Sequence, residues 1–293
     1  MSLRSKNITE IFAKTALFTC GIVTILVVFA VTTFMTASGI PGIREIGLRN
    51  FLLGDVWCPA GDSPSFSILP FILTSIFGTL GALIIGAPIG LLTAIFLSKF
   101  ASPKAASVLN TVVELLAGIP SVVYGFVGLT LLVPLVQQAF NLASGATLFS
   151  AIVVLGIMIL PSIINVSRMA LDAVPIDVEE ASYALGATKT ETIFKVSVPS
   201  AKSGIAAGIV LGVGRAMGEA MAVMMVAGNV ANMPSLFNSV TFLTTAITRE
   251  MNYASGLQRD ALFSIGVVLF AFITIINLSL NFALKRGLKN DKA

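Results

Sequence analysis

The chain has 293 residues, 56% of them hydrophobic and only 11% charged, with a formal net charge of +4 and no histidine. A soluble domain carries about 25% charged residues, so most of this chain must lie in lipid or in a bundle that lipid surrounds. Two cysteines and no histidine leave no support for a zinc site or for histidine-based catalysis.

A helix needs roughly 20 apolar residues to cross the hydrocarbon core. Six stretches meet that need, at 14–36, 66–97, 108–136, 147–167, 203–227 and 262–284. They are continuous rather than alternating, which predicts an all-α integral membrane protein and not a barrel. Residues 1–13 form an N-terminal tail. The first apolar stretch is too long for a secretory signal and is read as a retained span. The first external loop, 37–65, is rich in Gly and Pro and holds the only tryptophan, Trp57. Cys58 lies in this loop and Cys20 in the first span, which disfavours an intrachain disulfide.

With the N-terminus in the cytoplasm, 13 of the 18 basic residues fall inside and four outside (Arg44, Arg49, Arg249 and Arg259), leaving Arg215 in the membrane. Basic residues concentrate on the cytoplasmic side. Both termini, including the basic tail 285–293, are therefore cytoplasmic. The positive charge reports topology and not nucleic-acid binding.

The second and third stretches are longer than a crossing requires and are expected to tilt or break, with 98–107 as a cytoplasmic turn between them. Pro120, in GIPSVVYG, lies 12 residues after Val108, near mid-depth. Proline removes one helix hydrogen bond and clashes with the preceding turn, so either a packing kink or a break belongs here. A break would give Ser121, Val122 and Val123 the free N–H groups of a helix N-terminus, which suit an anion. Ser121 would add a hydroxyl. Glu114 is placed near the cytoplasmic face and is not assigned to substrate. Residues 137–146 make a short external link to the fourth span.

The cytoplasmic segment 168–202 carries two helix signals. Asp177 with Glu180 has capping-box spacing, and Gly186 is a natural C′ stop. Thr188 with Glu191 repeats the start, and Pro199 ends the second helix. On pattern alone this is a solvated helical hairpin. Its residues, however, resemble the EAA loop of ABC-importer permeases, EAA-x3-G-x9-I-x-L-P. Glu180, Ala181, Ser182, Gly186, Val196, Val198 and Pro199 stand at the same offsets, with Ser for the third Ala and Val for both aliphatics.

FLLGDVWCPAGDSPSFSILPFI, ELLAGIPSVVYGFVGL and RAMGEAMAV together look like the permeases of phosphate importers. Trp57-Cys58-Pro59 followed by FSILP looks more like the PstC-type subunit than its PstA-type partner. The resemblance implies a type I ABC-importer permease with a core at 66–284, in the bacterial inner membrane. Its implied partners are a sister permease of the PstA type, a dimer of cytoplasmic ATP-binding subunits and an extracytoplasmic phosphate-binding protein. The EAA loop would be the coupling element that docks on the ATPase. The chain itself has no GxxxxGK[ST] phosphate loop, so the energy must come from a partner. No cofactor is implied.

The fifth span contains GRAMGEAMAVMMVAGN. Arg215 lies 11 residues after Gly204, roughly 16 Å along a helix at 1.5 Å per residue, near the midplane of a core ~30 Å thick. A charge facing lipid there costs anywhere from ~3 to over 10 kcal/mol, so Arg215 is expected to face the bundle interior. The spacing of four predicts that Glu219 shares its helical face and pairs with it. Gly204, Gly208 and Gly212 fall on nearly that face and are expected to pack against the sister permease. A guanidinium can hold two oxygens of a phosphate at once, which makes Arg215 and Glu219 pathway candidates; a structural ion pair is the alternative. Tyr124, Met221, Met224 and Met225 are read as packing. Asn229 is a candidate polar contact at the external end of the pathway. In the last external loop, 228–261, LFNSVTFLTTAITREM is expected to lie at the interface as a short helix.

The function these features imply is a non-catalytic permease subunit for phosphate. Alternatives are an importer of another oxyanion, such as sulfate or molybdate, and a proton-coupled transporter using Glu219 as its carrier.

Overall fold

The computed structural model describes residues 3–60 and 63–290; the extreme ends of both expected tails lie outside these. Helix α1 (Leu3–Ile46) runs through the first span without interruption, Pro41 included. Phe18, Ile25 and Phe29 point outward along it, as lipid-facing residues do. Its later part rests on α14 (Gly256–Asn290), where Gly39 and Gly42 bring its backbone against that of Phe263 and Asp260. Helix α2 (Leu48–Leu53) leads to a small ribbon, β1 (Trp57–Cys58) and β2 (Ser65–Phe66), that pairs Trp57 with Phe66.

The centre is the packing of α3 (Leu69–Ile95) on α7 (Leu148–Asp172). Leu155, Met158, Ile159 and Ile163 of α7 are buried. Gly81, Gly86 and Gly90 of α3 accept Ile152, Ile159 and Ile163 against bare backbone. Lipid tails are as apolar as leucine, so helices in a membrane associate through such close contacts and not through hydrophobic burial. Among the described residues, five stretches are long and apolar enough to cross a membrane: Phe12–Ile46, Leu69–Phe100, Ser121–Ala139, Leu148–Asp172 and Gly256–Ser279. A sixth is reached only if the bent pair Lys189–Ser200 and α11 (Lys202–Gly218) counts as one span; α11 itself has 17 residues, and α12 (Met221–Val226) follows it beyond a break.

The third span shows one of the two outcomes expected at Pro120. In place of one helix over 108–136, α4 (Pro103–Gly118) stops, Ile119 and Pro120 are extended, and α5 (Ser121–Val127) begins. It continues through a π turn, Gly128–Leu132, into α6 (Val133–Ala139). Pro120 thus makes a break and not a kink, because proline lacks the N–H and disfavours helical backbone in the residue before it. The Tyr124 hydroxyl donates to the carbonyl of Leu116 at 2.7 Å, satisfying one oxygen that the break leaves without a helix partner. Tyr124 is therefore a clamp as well as packing.

The external segment after the fifth span departs from expectation. Helix α13 (Leu243–Glu250) is not laid on the surface: Leu243, Thr244, Thr245 and Ala246 are buried. Its polarity is what permits this. The Leu243 N–H donates to Ser75 Oγ at 3.0 Å, the Phe242 N–H to Thr245 Oγ1 at 2.9 Å, and the Thr244 hydroxyl to the Glu219 carbonyl at 2.7 Å.

On the cytoplasmic side, α8 (Ile176–Ala184) ends at Gly186 in the left-handed region, φ +85°, as expected. Its N-cap is Pro175 and not Asp177, which sits in the first turn without a capping bond. Proline at fixed φ enters the helix two residues sooner than the side-chain signal implied. The second start holds: Thr188 and Glu191 form a capping box over α9 (Lys189–Thr192). A π turn, Ile193–Ser197, and α10 (Val198–Ser200) follow, and α11 leaves at a bend of 69°.

Candidate functional site

Arg215 sits in the last turn of α11, whose two faces have different tasks. Gly204, Gly208 and Gly212 lie against Ala170, Ser167 and Ile163 of α7. The glycine ladder therefore serves the chain's own bundle and not a contact with a second permease. The neighbouring face of Ala207, Val210, Leu211 and Gly214, with Arg215 at its edge, lines a cavity of about 740 Å³. Ser162 of α7 and Asn277 of α14 complete that lining. Arg215 has no carboxylate or hydrogen-bond acceptor among the described residues.

The expected pair with Glu219 does not form. The helix ends at Gly218, and Glu219 adopts an extended conformation, φ −73° and ψ 129°, so the four-residue spacing no longer places the two side chains on one face. The Glu219 carboxylate turns forward and accepts the Ala222 N–H at 3.0 Å. There it caps α12, where a negative charge is favoured by the exposed amides. Its own carbonyl is held by Thr244. Glu219 thus stabilises the discontinuity and leaves Arg215 uncompensated.

The two broken spans meet. A Cβ on Gly125 of α5 would lie 2.8 Å from the Ala222 Cα of α12, and one on Gly128 would lie 2.8 Å from Val226. The short segments beyond both breaks therefore pack as one unit. Ser121 begins α5 on a half-exposed site; of the three amides expected to be free, that of Val123 is taken by the Pro120 carbonyl at 3.0 Å. Ser121 does not line the Arg215 cavity. Met221 is exposed, whereas Met225 packs against the central core.

Asn229 lies elsewhere. In left-handed backbone at φ 56°, it donates its amide to the Met224 carbonyl at 2.6 Å and so closes α12. It lines a separate external cavity of about 530 Å³ with Trp57, Arg249, Glu250 and Gln258. Trp57 Nε1 donates to the Glu250 carboxylate at 3.2 Å, and Gln258 donates to the same group at 3.1 Å. These bonds join the first external loop to the last. Cys58, like Cys20, is a free thiol.

Of the residues expected to form the coupling loop, Glu180, Ala181, Gly186 and Pro199 are exposed, while Ser182, Val196 and Val198 are half-buried. Ser182 Oγ is 2.9 Å from Thr192 Oγ1, tying α8 to α9. Apolar side chains stand out on the same protrusion, with Leu185 91% and Ile176 67% exposed. What holds α8 in place leaves no local signal in the chain. Lys99, in the π turn Phe96–Phe100 that ends α3, meets Glu179 at 2.6 Å with both side chains 14% exposed. Ser197 donates to that same carboxylate oxygen at 2.7 Å.

Burial opposes the Glu179 charge, but the hydrogen bonds from Lys99 and Ser197 and the lysine charge outweigh it and hold the carboxyl below its ordinary 4.5. A carboxylate depressed in this way stabilises the fold fully above the ordinary value and loses that contribution as the pH falls through the depressed one. Protection of residues 176–200 from hydrogen exchange should therefore be constant at neutral pH and fall below pH 4.5. Lys99→Met should lower it already at neutral pH, by about 1–3 kcal/mol. Equal protection in both proteins across that range would show that the pair contributes nothing.

Residues 86–290 match the family model described as "Binding-protein-dependent transport system inner membrane component". The chain is 38% identical over 284 residues to the probable ABC transporter permease protein YqgH of Bacillus subtilis, covering 94% of this chain and 92% of that one. It is 38% identical to the phosphate transport system permease protein PstC of Pasteurella multocida, covering 91% and 88%. The Haemophilus influenzae protein of the same name is 35% identical, covering 89% and 88%. Among solved structures, a bacterial ABC transporter involved in alginate import superimposes with a TM-score of 0.65 at 14% identity, covering 96% of this chain and 99% of that one. The MetNI methionine ABC transporter gives 0.55 at 19% identity, covering 75% and 93%. The last two comparisons speak for the fold alone, that of a type I ABC-importer permease. The match over most of its length makes this chain a member of the binding-protein-dependent transport system inner membrane components, a multi-pass protein of the inner membrane.

Proposed function

We propose that this chain is the non-catalytic permease subunit of an ATP-driven importer of inorganic phosphate, PstC-like in type. The observation that carries the reading is the guanidinium of Arg215, without an acceptor among the described residues, on the wall of an open cavity between the helices. An uncompensated charge at that depth is costly, and an oxyanion passing through supplies the missing partner. Phosphate is the cargo named in relatives 38% and 35% identical to this chain.

In this reading a second permease completes the pathway, and a loaded binding protein docks outside, against loops braced by Trp57 and Glu250. A pair of cytoplasmic ATPase subunits grips the α8–α10 protrusion, whose exposed Leu185 and Ile176 offer apolar contact. ATP is hydrolysed by those subunits; phosphate crosses unchanged. Arg215 attracts the anion, and its fixed planar fork holds two oxygens at once. Glu219 keeps the helix break in place. Ser121 and Asn229 belong to the break and to the external mouth rather than to the cavity.

Uptake of labelled phosphate tests this, in cells without other phosphate importers that express the whole assembly. Wild type should take up phosphate with little inhibition by excess sulfate, and deletion of residues 177–198 should stop it. Full competition by sulfate would replace the cargo, and uptake that survives the deletion would point to a transporter that needs no ATPase.

A further inference from the structure

Three polar side chains line the 740 Å³ cavity, and they come from three different helices: Ser162 of α7, Arg215 of α11 and Asn277 of α14. The rest of the lining is apolar or glycine. None of the three has a hydrogen-bond partner among the described residues, although each belongs to an apolar helix, and all three stand on the wall of one open cavity. Serine within a helix commonly donates back to the carbonyl four residues earlier. Ser264, Thr274 and several other hydroxyls in apolar helices do so; Ser162 does not, nor do the buried Thr74, Thr79 and Ser167, and of these four only Ser162 lines the cavity. Unsatisfied polar groups in such a place are expensive, and three of them around one cavity point to a ligand.

The set has a definite chemistry. Arg215 brings a positive charge and a fork of N–H donors, and Asn277 an amide with donors and one acceptor. Ser162 brings a hydroxyl that works in either sense. No carboxylate lines the cavity among the described residues. We infer that Ser162, Arg215 and Asn277 form one transient subsite for a tetrahedral oxyanion, with Arg215 holding its charge and Ser162 and Asn277 binding its remaining oxygens. Monohydrogen and dihydrogen phosphate carry an O–H that the Asn277 carbonyl or the Ser162 hydroxyl accepts, whereas sulfate at neutral pH has only acceptors. The two neutral residues thereby favour a protonated anion over a fully ionised one. This rests on the oxyanion-import reading above and names the residues of this chain that read the cargo.

The test uses the complete assembly with Ser162→Ala, Asn277→Leu and the double variant. Ser279→Ala serves as control: two residues on from Asn277, it lies about 200° around the helix. Labelled phosphate and labelled sulfate uptake are measured separately, with co-purification of the assembly and binding-protein-stimulated ATP hydrolysis as a second readout. Each single variant should slow phosphate uptake by roughly 10-fold, the factor expected for one lost hydrogen bond to a charged group. Assembly and stimulated hydrolysis should persist, and residual selectivity against sulfate should fall. Wild-type phosphate uptake in the double variant would overturn the subsite, as would loss of assembly in both single variants, which would make the residues structural. If wild type moves sulfate and not phosphate, the cargo reading fails. The subsite is then decided by whether the same variants slow sulfate uptake.

Discussion

With Arg215 replaced by glutamine, phosphate uptake should fall roughly 100-fold, while the assembly still forms. Among the described residues the guanidinium has no carboxylate or hydrogen-bond acceptor to lose, so its removal orphans no carboxylate among them, and the fold should be indifferent or slightly relieved. What disappears is a charge-assisted contact to the anion, about 3 kcal/mol at the upper end for such a bond, which is the stated factor. Arg215→Lys keeps the charge but loses the planar fork and should fall between the two. A glutamine variant that transports at the wild-type rate would place the pathway elsewhere. Had Arg215 been paired with Glu219, the same substitution would instead have unbalanced a buried pair and lowered stability, so a loss of assembly would argue for that arrangement.

The second large effect is expected at the contact between α5 and α12. In Gly125→Val the new Cβ would approach the Ala222 Cα at 2.8 Å, and backbone cannot step aside as a side chain can. The two short helices would have to part, at a cost of about 1–3 kcal/mol or more. Uptake should be lost with a fall of several degrees in the melting temperature of the purified assembly. Gly118→Ala, where nothing lies within 4 Å of the added carbon, should keep both. Equal behaviour of the two variants would show that the seam does not constrain the site.

The apolar spans and the two short helices of 168–202 were legible because they depend on local quantities: apolar length, capping spacing and the left-handed glycine at 186. Pro120 was legible as a kink or a break, and the choice between them was left open; the Tyr124 hydroxyl, which reaches the Leu116 carbonyl across the gap, is a contact that spacing along the chain does not announce. The Arg215–Glu219 pair was misread because spacing arguments assume an unbroken helix. Nothing in RAMGEAMAV signals that the chain turns extended at Glu219; the reason is Thr244, which holds the Glu219 carbonyl from 25 residues away in sequence. The glycine ladder was seen, but its partner was not, because sequence does not say which helix fills the space. Ser162 and Asn277 had only a weak sign, isolated polar residues in apolar runs. Their convergence with Arg215 is a property of packing.

The Lys99–Glu179 contact has a mechanical consequence. The α8–α10 protrusion is continuous with two spans, α7 and α11, and its Ile193 and Val198 pack with Ala94 and Ile95 of α3. Two chain connections alone would define an axis about which the body could swivel. The ion pair, together with that apolar contact, adds a third anchor off the axis, on α3, so swivelling is blocked. A displacement applied to the protrusion is then delivered as tilt to three helices together, with none of it spent in rotation of the loop.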